Sequence, residues 1–322
     1  MDLKTKNRRA PYRHAAPSSF MRAPLAVLWR LRLDSLSTLD HVIGIAVFVS
    51  AFLVYWGTMF PTVYTFDSAE LASGAYTLGI VHPTGYPLWL LAGKLFTFLP
   101  FGDVAYRVNL MSGFMASLAL LALYYALLEL TSRYLVAASA ALMLGFSFYV
   151  WREARAAEVY TMHTLFMAIL LLVLFRWAGI KLREGRSSGR LLLGFAFLYG
   201  LSFSNHMSSG FLALGFSYLI LVIGRQDVLK PSLIASMLFL FALGWLPYAY
   251  LPIRDMASPP INYARELDVD LTSLSGMWWM ISGEVFKQFV FLYQPGDIVG
   301  EALKYSNWLW INFGNNILDS VT

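Results

Sequence analysis

Two carboxylates stand close together in Phe66-Asp67-Ser68-Ala69-Glu70-Leu71, directly after a long apolar run. Residues three apart share one face of a helix, so Asp67 and Glu70 can point at one substrate and handle its protons. The same spacing suits a helix start, with Asp67 as N-cap and Glu70 at the third helical position. Spacing alone weighs the two interpretations evenly. They are compatible, since Glu70 can hold the turn while Asp67 acts.

An irregular segment follows in the same loop, Val81-His82-Pro83-Thr84-Gly85-Tyr86-Pro87, whose two prolines and glycine prevent a continuous helix. Irregular backbone near a bilayer normally lines a cavity. His82 is suited to donate to a phosphate oxygen there. Taken alone, however, a loop histidine that binds a neighbouring carbonyl is the slightly favoured interpretation.

Arg107 and Asn109 lie at the start of the next apolar run. An arginine at membrane depth requires a carboxylate or a lipid phosphate as its partner, unless its long side chain reaches the interface. Arg107 is therefore a candidate for binding an anionic group, with snorkelling as the alternative.

A second group of ionisable residues runs from a loop into an apolar stretch and comprises Arg155, Glu158, Tyr160 and His163. Charges spaced like Arg155 and Glu158 are typical of a solvated helix face. Glu158, Tyr160 and His163 instead continue into the apolar run, where ionisable groups usually mark a site or a pathway. His206 lies in a turn between two further runs, and a hydrogen-bonded structural histidine is the favoured interpretation of it.

The composition indicates that these residues are carried by a membrane protein. Of 322 residues, 58% are hydrophobic and 13% are charged, against roughly 25% charged in soluble domains, which excludes an ordinary cytosolic enzyme. The aromatic content of 16% excludes a disordered chain. Thiol chemistry is excluded because the sequence has no cysteine. The sequence also lacks the spacings of zinc-binding helices, phosphate-binding glycine loops and serine-nucleophile turns.

Seven apolar runs are long enough, or nearly long enough, to cross a bilayer. They cover approximately residues 41–60, 108–130, 135–150, 159–177, 191–204, 207–223 and 233–251. An eighth is expected to begin near Leu303. The predicted fold is an all-α polytopic transmembrane bundle, with short helices in the first outer loop.

Residues 1–40 contain eight basic and three acidic residues and are predicted to form a cytoplasmic arm. Lysine and arginine also gather in alternate loops, so the N-terminus is predicted to be cytoplasmic and the candidate site to lie on the outer side. Residues 41–255 form the predicted transmembrane core. Residues 256–322 form an outer segment that is interpreted as an interfacial lid without chemistry. We expect the chain to be part of a longer protein.

The order of these motifs resembles a family of multi-spanning membrane proteins that includes the animal transmembrane protein O-mannosyltransferase. The resemblance covers about residues 40–255 and is carried by Asp67-Ser68-Ala69-Glu70, by residues 78–88, by Tyr106-Arg107-Val108-Asn109-Leu110 and by Ala157-Glu158-Val159-Tyr160. The family is similar to a branch of the GT-C glycosyltransferases, which usually have more spans and often a soluble outer domain.

The resemblance implies an inverting transfer of mannose or a similar hexose from a polyprenyl- or dolichyl-phosphate carrier to an acceptor hydroxyl on the outer or lumenal face. Asp67 matches the base by its position after the first span, and Glu70 would assist it or orient the acceptor. Arg107 and His82 would bind the donor phosphate. The site would be lined by Tyr86, Asn109, Glu158, Tyr160, His163 and His206.

The expected partners are the lipid bilayer, the lipid-linked donor and a protein or glycan acceptor, without nucleic acid. The expected location is a bacterial inner membrane or the endoplasmic reticulum membrane. No metal is assigned, although Asp67 and Glu70 have the chemistry to bind a divalent ion. Two alternatives stay open, a transporter or flippase of lipid-linked sugars and a non-catalytic scaffold. Clustering of the polar residues on one side favours the enzyme.

Overall fold

The computed structural model describes residues 36–65, 67–185, 188–289 and 298–314. Within these ranges the chain is helical and has no β-strand, only an isolated bridge between Ile80 and Asn262. The predicted all-α fold is therefore confirmed. Most of the predicted N-terminal arm, residues 1–35, lies outside the described residues.

Fourteen α-helices occur in the described ranges and are numbered here in chain order. They are α1 Thr38–Gly57, α2 Ser68–Thr77, α3 Pro87–Phe96, α4 Val104–Thr131, α5 Tyr134–Gly145, α6 Phe148–Ala154, α7 Tyr160–Glu184, α8 Gly189–Phe203, α9 Ala213–Val228, α10 Pro231–Leu243, α11 Tyr250–Met256, α12 Tyr263–Glu266, α13 Leu274–Ser282 and α14 Ile298–Gly314. Short 3₁₀ segments cover Met207–Leu212, Leu246–Ala249 and Glu284–Phe289.

The long helices make the chain an integral membrane protein. Within the described residues, five stretches are long and apolar enough to cross a membrane, namely Thr38–Gly57, Val104–Thr131, Tyr160–Glu184, Met207–Gln226 and Pro231–Met256. Helices α5 and α6, bent by 68° at their junction, make a sixth if they form one span. The remaining predicted run forms α8, with only 15 residues. All seven predicted runs are thus helical, while five or six reach spanning length. The expected eighth forms α14, with 17 residues.

Helix α4 lies at the centre of the bundle. It is buried on several sides, through residues such as Val108, Met111, Leu120 and Leu128, as expected of a helix that is apolar all round. Helices α1 and α7 pack against it. Many apolar side chains on the outside of the bundle are exposed, for example Leu53 at 55%, which suits contact with lipid.

The end of the bundle where α4 stops contains a buried acid. Glu129 is 4% exposed and accepts a hydrogen bond from Arg176 of α7. Arg183 Nη2 lies 3.9 Å from Glu129 Oε2. A buried carboxylate needs such cationic partners, so these residues join α4 to α7 at the end opposite the first loop. Sequence analysis did not identify this pairing.

The segment after α11 packs on the first loop, and its interpretation as an interfacial lid stays a prediction. The Ile80 N–H donates to the Ile261 carbonyl and the Tyr263 N–H donates to the Ile80 carbonyl, both at 2.9 Å. Buried Leu271 and Met280 share one apolar core with α2 and α3. The segment is therefore part of the scaffold that holds the loop.

Asp255 is the polar centre of this scaffold. It is 6% exposed and accepts hydrogen bonds from Asn262 Nδ2 at 2.7 Å and from the Leu271 N–H at 3.1 Å. Arg265 Nη2 lies 3.5 Å from its carboxylate. These contacts satisfy a buried charge and shape the chain between α11 and α13.

Candidate active site

The carboxylates of the first loop meet His82 at one end of the bundle. His82 Nδ1 lies 2.6 Å from Glu70 Oε2, and the His82 backbone N–H donates to Glu70 Oε1 at 2.8 Å. Asp67 Oδ2 is 3.8 Å from His82 Nε2, and the Asp67 side chain is 54% exposed. No described residue donates a hydrogen bond to the Asp67 carboxylate. Of the three side chains, Asp67 is the one left open to a ligand.

Neither carboxylate caps α2. Asp67 occupies the N-cap position, but its side chain makes no capping hydrogen bond. Glu70 is turned toward His82 instead. The capping-box interpretation was therefore wrong, and so was the interpretation of His82 as a residue that binds a carbonyl, because its ring binds a carboxylate.

The backbone of the loop is shaped by its glycines and by the scaffold. A Cβ at Gly79 would lie 2.9 Å from the Ile261 carbonyl oxygen, so only glycine allows this close approach. Tyr250 Oη donates to the Gly79 carbonyl at 2.7 Å. Gly85 has a φ of +81° and Tyr86 a φ of +41°, the left-handed region that turns the chain into α3.

Tyr86 connects His82 to a second group of histidines. Its hydroxyl lies 3.1 Å from His82 Nε2, and its ring stacks on His206 with centroids 5.8 Å apart. Ser208 Oγ lies 2.7 Å from His206 Nδ1 and 3.1 Å from His163 Nε2. The Ser208 backbone N–H also donates to His206 Nδ1 at 3.2 Å. This nitrogen is therefore an acceptor, and Nε2 carries the proton of a neutral His206.

The pKa values of His82 and His206 are shifted in opposite directions. Burial lowers the pKa of His82, but the hydrogen bond and charge of Glu70, with the charge of Asp67, outweigh it, so the pKa of His82 is raised. Burial, together with the charges of His163 and His82, lowers the pKa of His206 to about 4. The site thus favours a cation at His82 and a neutral imidazole at His206.

Glu158 lies in the connection before α7 and is 8% exposed. Burial and, to a smaller extent, the charges of Glu153 and Asp67 raise the pKa of Glu158 to about 8 against the opposing charge of Arg152. No contact among the described residues joins the Glu158 carboxyl group to Asp67, Glu70 or His82. A carboxyl group with this pKa is mostly protonated at neutral pH and can donate a hydrogen bond.

Tyr160 borders both the histidine group and a cavity. Its ring centroid is 5.5 Å from that of His206. The cavity has a volume of about 200 Å³ and lies between α4, α6 and α7. Its lining is apolar along Ala116 and Leu120 and polar at Glu153 and Tyr160. It offers space for an apolar group next to the site.

Arg107 and Asn109 support loops instead of meeting the carboxylates. Arg107 donates to three backbone carbonyls at 2.8 to 2.9 Å, those of Thr97, Phe101 and Gly102. Asn109 Nδ2 donates at 3.0 Å to the carbonyls of Phe60 and Thr62. No contact among the described residues joins either side chain to Asp67, Glu70 or His82. The structure thus does not bring either side chain to the acidic cluster, and their assigned roles in phosphate binding and lining stay predictions.

Asp67, Glu70 and His82 also have the residue types of a metal site. One potential ligand atom from each lies within 4.8 Å of the other two. Both Glu70 oxygens are already hydrogen-bonded to His82. A metal ion bound through Asp67 and His82 Nε2 would leave the bond between Glu70 and His82 Nδ1 in place, the usual outer-shell contact of a histidine ligand.

The chain is similar to a group of named proteins. The model of the protein O-mannosyl-transferase TMEM260 N-terminal domain matches residues 67–230, a range that contains all sequence-predicted site residues. Protein O-mannosyl-transferase TMEM260 of Mus musculus is 33% identical over 235 residues, which are 72% of this chain and 33% of the relative. The protein of that name in Dictyostelium discoideum is 24% identical over 232 residues, 69% of this chain and 28% of the relative. The chain thus spans about a third of the length of these relatives. No solved structure gives a significant match.

Proposed function

The chain belongs to the protein O-mannosyl-transferase TMEM260 N-terminal domain family, and from that premise we propose that it transfers a hexose to an acceptor hydroxyl. The names of the relatives support a glycosyltransferase role and make mannose the first sugar to test. We propose a polyprenyl-phosphate sugar as the donor, because the chain is embedded in a membrane. The proposed face is the outer or lumenal one.

The observation that carries this proposal is that the Asp67 carboxylate is accessible, whereas the neighbouring Glu70 is hydrogen-bonded to His82. Glu70 is engaged by His82 through two hydrogen bonds, whereas Asp67 is half exposed and 3.8 Å from the same imidazole. A general base must reach the proton it removes. Asp67 is the carboxylate of this pair that an acceptor can reach.

The reaction requires one proton acceptor and one stabilised leaving group. As the acceptor oxygen bonds to the anomeric carbon, the bond from that carbon to the phosphate oxygen breaks and its electron pair leaves with the phosphate. The acceptor proton passes to Asp67. Attack on the side opposite the leaving group inverts the anomeric centre, and positive charge near the phosphate stabilises the departing oxygen.

His82 is suited to a cationic role in this reaction. Its raised pKa favours the protonated form, which cannot accept a further proton from the acceptor. Glu70 fixes the orientation of the ring, and Tyr86 contacts its other nitrogen. We assign His82 to stabilising negative charge and Glu70 to positioning His82. The cavity beside Tyr160 is a candidate space for the first part of the lipid tail.

The test is sugar transfer in nanodiscs that contain polyprenyl-phosphate mannose, with a membrane extract as acceptor. Asp67→Asn should reduce transfer by about 100-fold or more, since general bases contribute at least that factor. The matched control is Asp268→Asn, an exposed aspartate in the scaffold. Both variants should unfold at the wild-type temperature.

Other outcomes contradict the proposal. Transfer that survives in Asp67→Asn but disappears in His82→Gln would make His82 the base. Movement of labelled lipid-linked sugar across vesicles without transfer, unchanged in Asp67→Asn, would favour a flippase. Removal of divalent ions with a chelator should leave transfer intact, and its loss would assign a metal to the acidic cluster.

A further inference from the structure

Among the described residues, the Arg155 side chain at the site end of the bundle has no hydrogen-bond or ion-pair partner. Its Nε is buried and makes no hydrogen bond, and no described carboxylate lies within ion-pair distance of it. The ion pair with Glu158 that their spacing suggests is not formed. Other described arginines at this end are engaged, Arg107 and Arg254 by backbone carbonyls and Arg152 by Glu153.

Arg155 lies against the segment that leads to Asp67. Its guanidinium carbon is 4.8 Å from the centre of the Phe60 ring, and its backbone carbonyl accepts from the Phe60 N–H at 3.2 Å. Phe60 in turn stacks on Tyr64 with centroids 3.7 Å apart. The Tyr64 N–H approaches Ser68 Oγ at 3.4 Å, one residue after Asp67.

The surroundings of Arg155 favour an anionic ligand. Partial burial lowers the pKa of Arg155, and the charge of Tyr64 opposes this shift. Removing part of a charge from water is unfavourable unless a partner replaces the water. The guanidinium carbon lies over the Phe60 ring, a cation–π contact. A guanidinium holds its N–H groups in one plane, where two of them match two oxygens of a phosphate.

We propose that Arg155 binds the phosphate of the lipid-linked donor, the part that sequence analysis assigned to Arg107. This inference rests on the proposed function, since it concerns the donor of that reaction. The phosphate would lie against the Arg155 guanidinium, with the Asp67 carboxylate available to the acceptor. Arg155 is a binding residue in this assignment and takes no proton.

The test measures the binding of a polyprenyl phosphate and of the matching uncharged polyprenol to the protein in phosphatidylcholine nanodiscs. The wild type should bind the phosphate more tightly than the alcohol. Arg155→Gln should weaken phosphate binding by about tenfold or more, because a hydrogen bond to a charged group is being removed. Its affinity for the polyprenol should not change. Arg155→Lys should retain part of the preference through its charge.

Two further variants separate binding from folding. Arg133→Gln removes an exposed arginine at the opposite end of the bundle and should leave the preference for phosphate unchanged. Phe60→Leu removes the stacked ring but not the charge and should keep most of the preference. If Arg155 were only structural, Arg155→Gln and Phe60→Leu would lower the unfolding temperature alike and bind the phosphate alike.

The outcomes distinguish this inference from the proposed function. A wild-type preference for phosphate that persists in folded Arg155→Gln would overturn the role of Arg155 and leave the donor proposal standing. A wild type without any preference would overturn both. Competition by phosphatidylglycerol as strong as that of the polyprenyl phosphate would assign Arg155 to bulk anionic lipid, against our assignment to the donor.

Discussion

Replacing Glu70 by glutamine tests whether this carboxylate controls the charge of His82. The variant keeps the size of the side chain and one carbonyl oxygen, but it removes the negative charge that faces His82 Nδ1 at 2.6 Å. The backbone N–H of His82 can still donate to the amide oxygen. The change is therefore directed at the contact between the two side chains.

The structure limits the size of the effect. Hydrogen bonds to charged groups contribute roughly 1.5–3 kcal/mol. The His82 side chain is 13% exposed and that of Glu70 is 30% exposed, so solvent screens the interaction only in part. Because one of the two hydrogen bonds survives, Glu70→Gln should reduce the free energy of unfolding by about 1–2 kcal/mol.

The sign of the pH dependence follows from the raised pKa of His82. A histidine whose pKa is higher in the folded state adds stability below its unfolded pKa of about 6.5 and loses it as the pH rises through the folded value. In Glu70→Gln, burial would dominate, and the pKa of His82 should fall below its wild-type value. The stability difference between the two proteins should therefore be largest in mild acid and shrink as the pH rises.

The assay combines histidine-selective NMR titration with thermal unfolding on either side of the histidine pKa. The His82 signal is assigned by its loss in His82→Gln. Glu266→Gln, which changes an exposed glutamate, is the matched control and should behave like the wild type. An unchanged His82 titration in Glu70→Gln, or a stability difference that does not vary with pH, would refute the reasoning.

Two further predictions concern stability. Because the folded pKa of Glu158 is raised to about 8, its contribution is complete below the ordinary glutamate pKa of about 4.3 and is lost as the pH rises through the folded value. Wild type should therefore lose stability relative to Glu158→Gln over that interval, and parallel unfolding curves would contradict this. Gly200→Ala would place a Cβ 2.0 Å from the Phe241 carbonyl oxygen and should destabilise the contact of α8 with α10 by about 1–3 kcal/mol. Gly194→Ala, with no atom within 4 Å of its Cβ, should be neutral or stabilising by up to about 1 kcal/mol, and equal unfolding temperatures for the two variants would refute the packing argument.

The helices were predictable because apolar runs are a local property of the sequence. Each of the seven runs is mainly helical, although the run 135–150 is divided between α5 and α6 and the run 233–251 between α10 and α11, and the all-α fold is confirmed. The spacing of Asp67 and Glu70 predicted that they lie close together. The prolines and the glycine near His82 predicted the irregular backbone there. Their roles in catalysis stay predictions.

The partners of polar side chains were not predictable, because tertiary structure sets them. Arg107 has the sequence context of an anion-binding residue, yet nearby carbonyls take its N–H groups. Ser208 contacts both His206 and His163. The sequence places Ser208 close to His206, but it gives no sign of the contact with His163. The spacing of Arg155 and Glu158 predicted a solvated helix face. The contact of Arg155 with Phe60 joins residues far apart in sequence, so a local pattern does not reveal it.

The contacts between the first loop and the later scaffold determine when the site can form during synthesis. Tyr250 meets Gly79 across a separation of 171 residues, and Ile80 is bonded to residues 261 and 263. Contacts so distant in sequence close late in folding. A ribosome would release the first spans into the membrane well before His82 reached its final position. The nascent protein would therefore be inserted early and remain without a complete site until the chain beyond α11 had emerged.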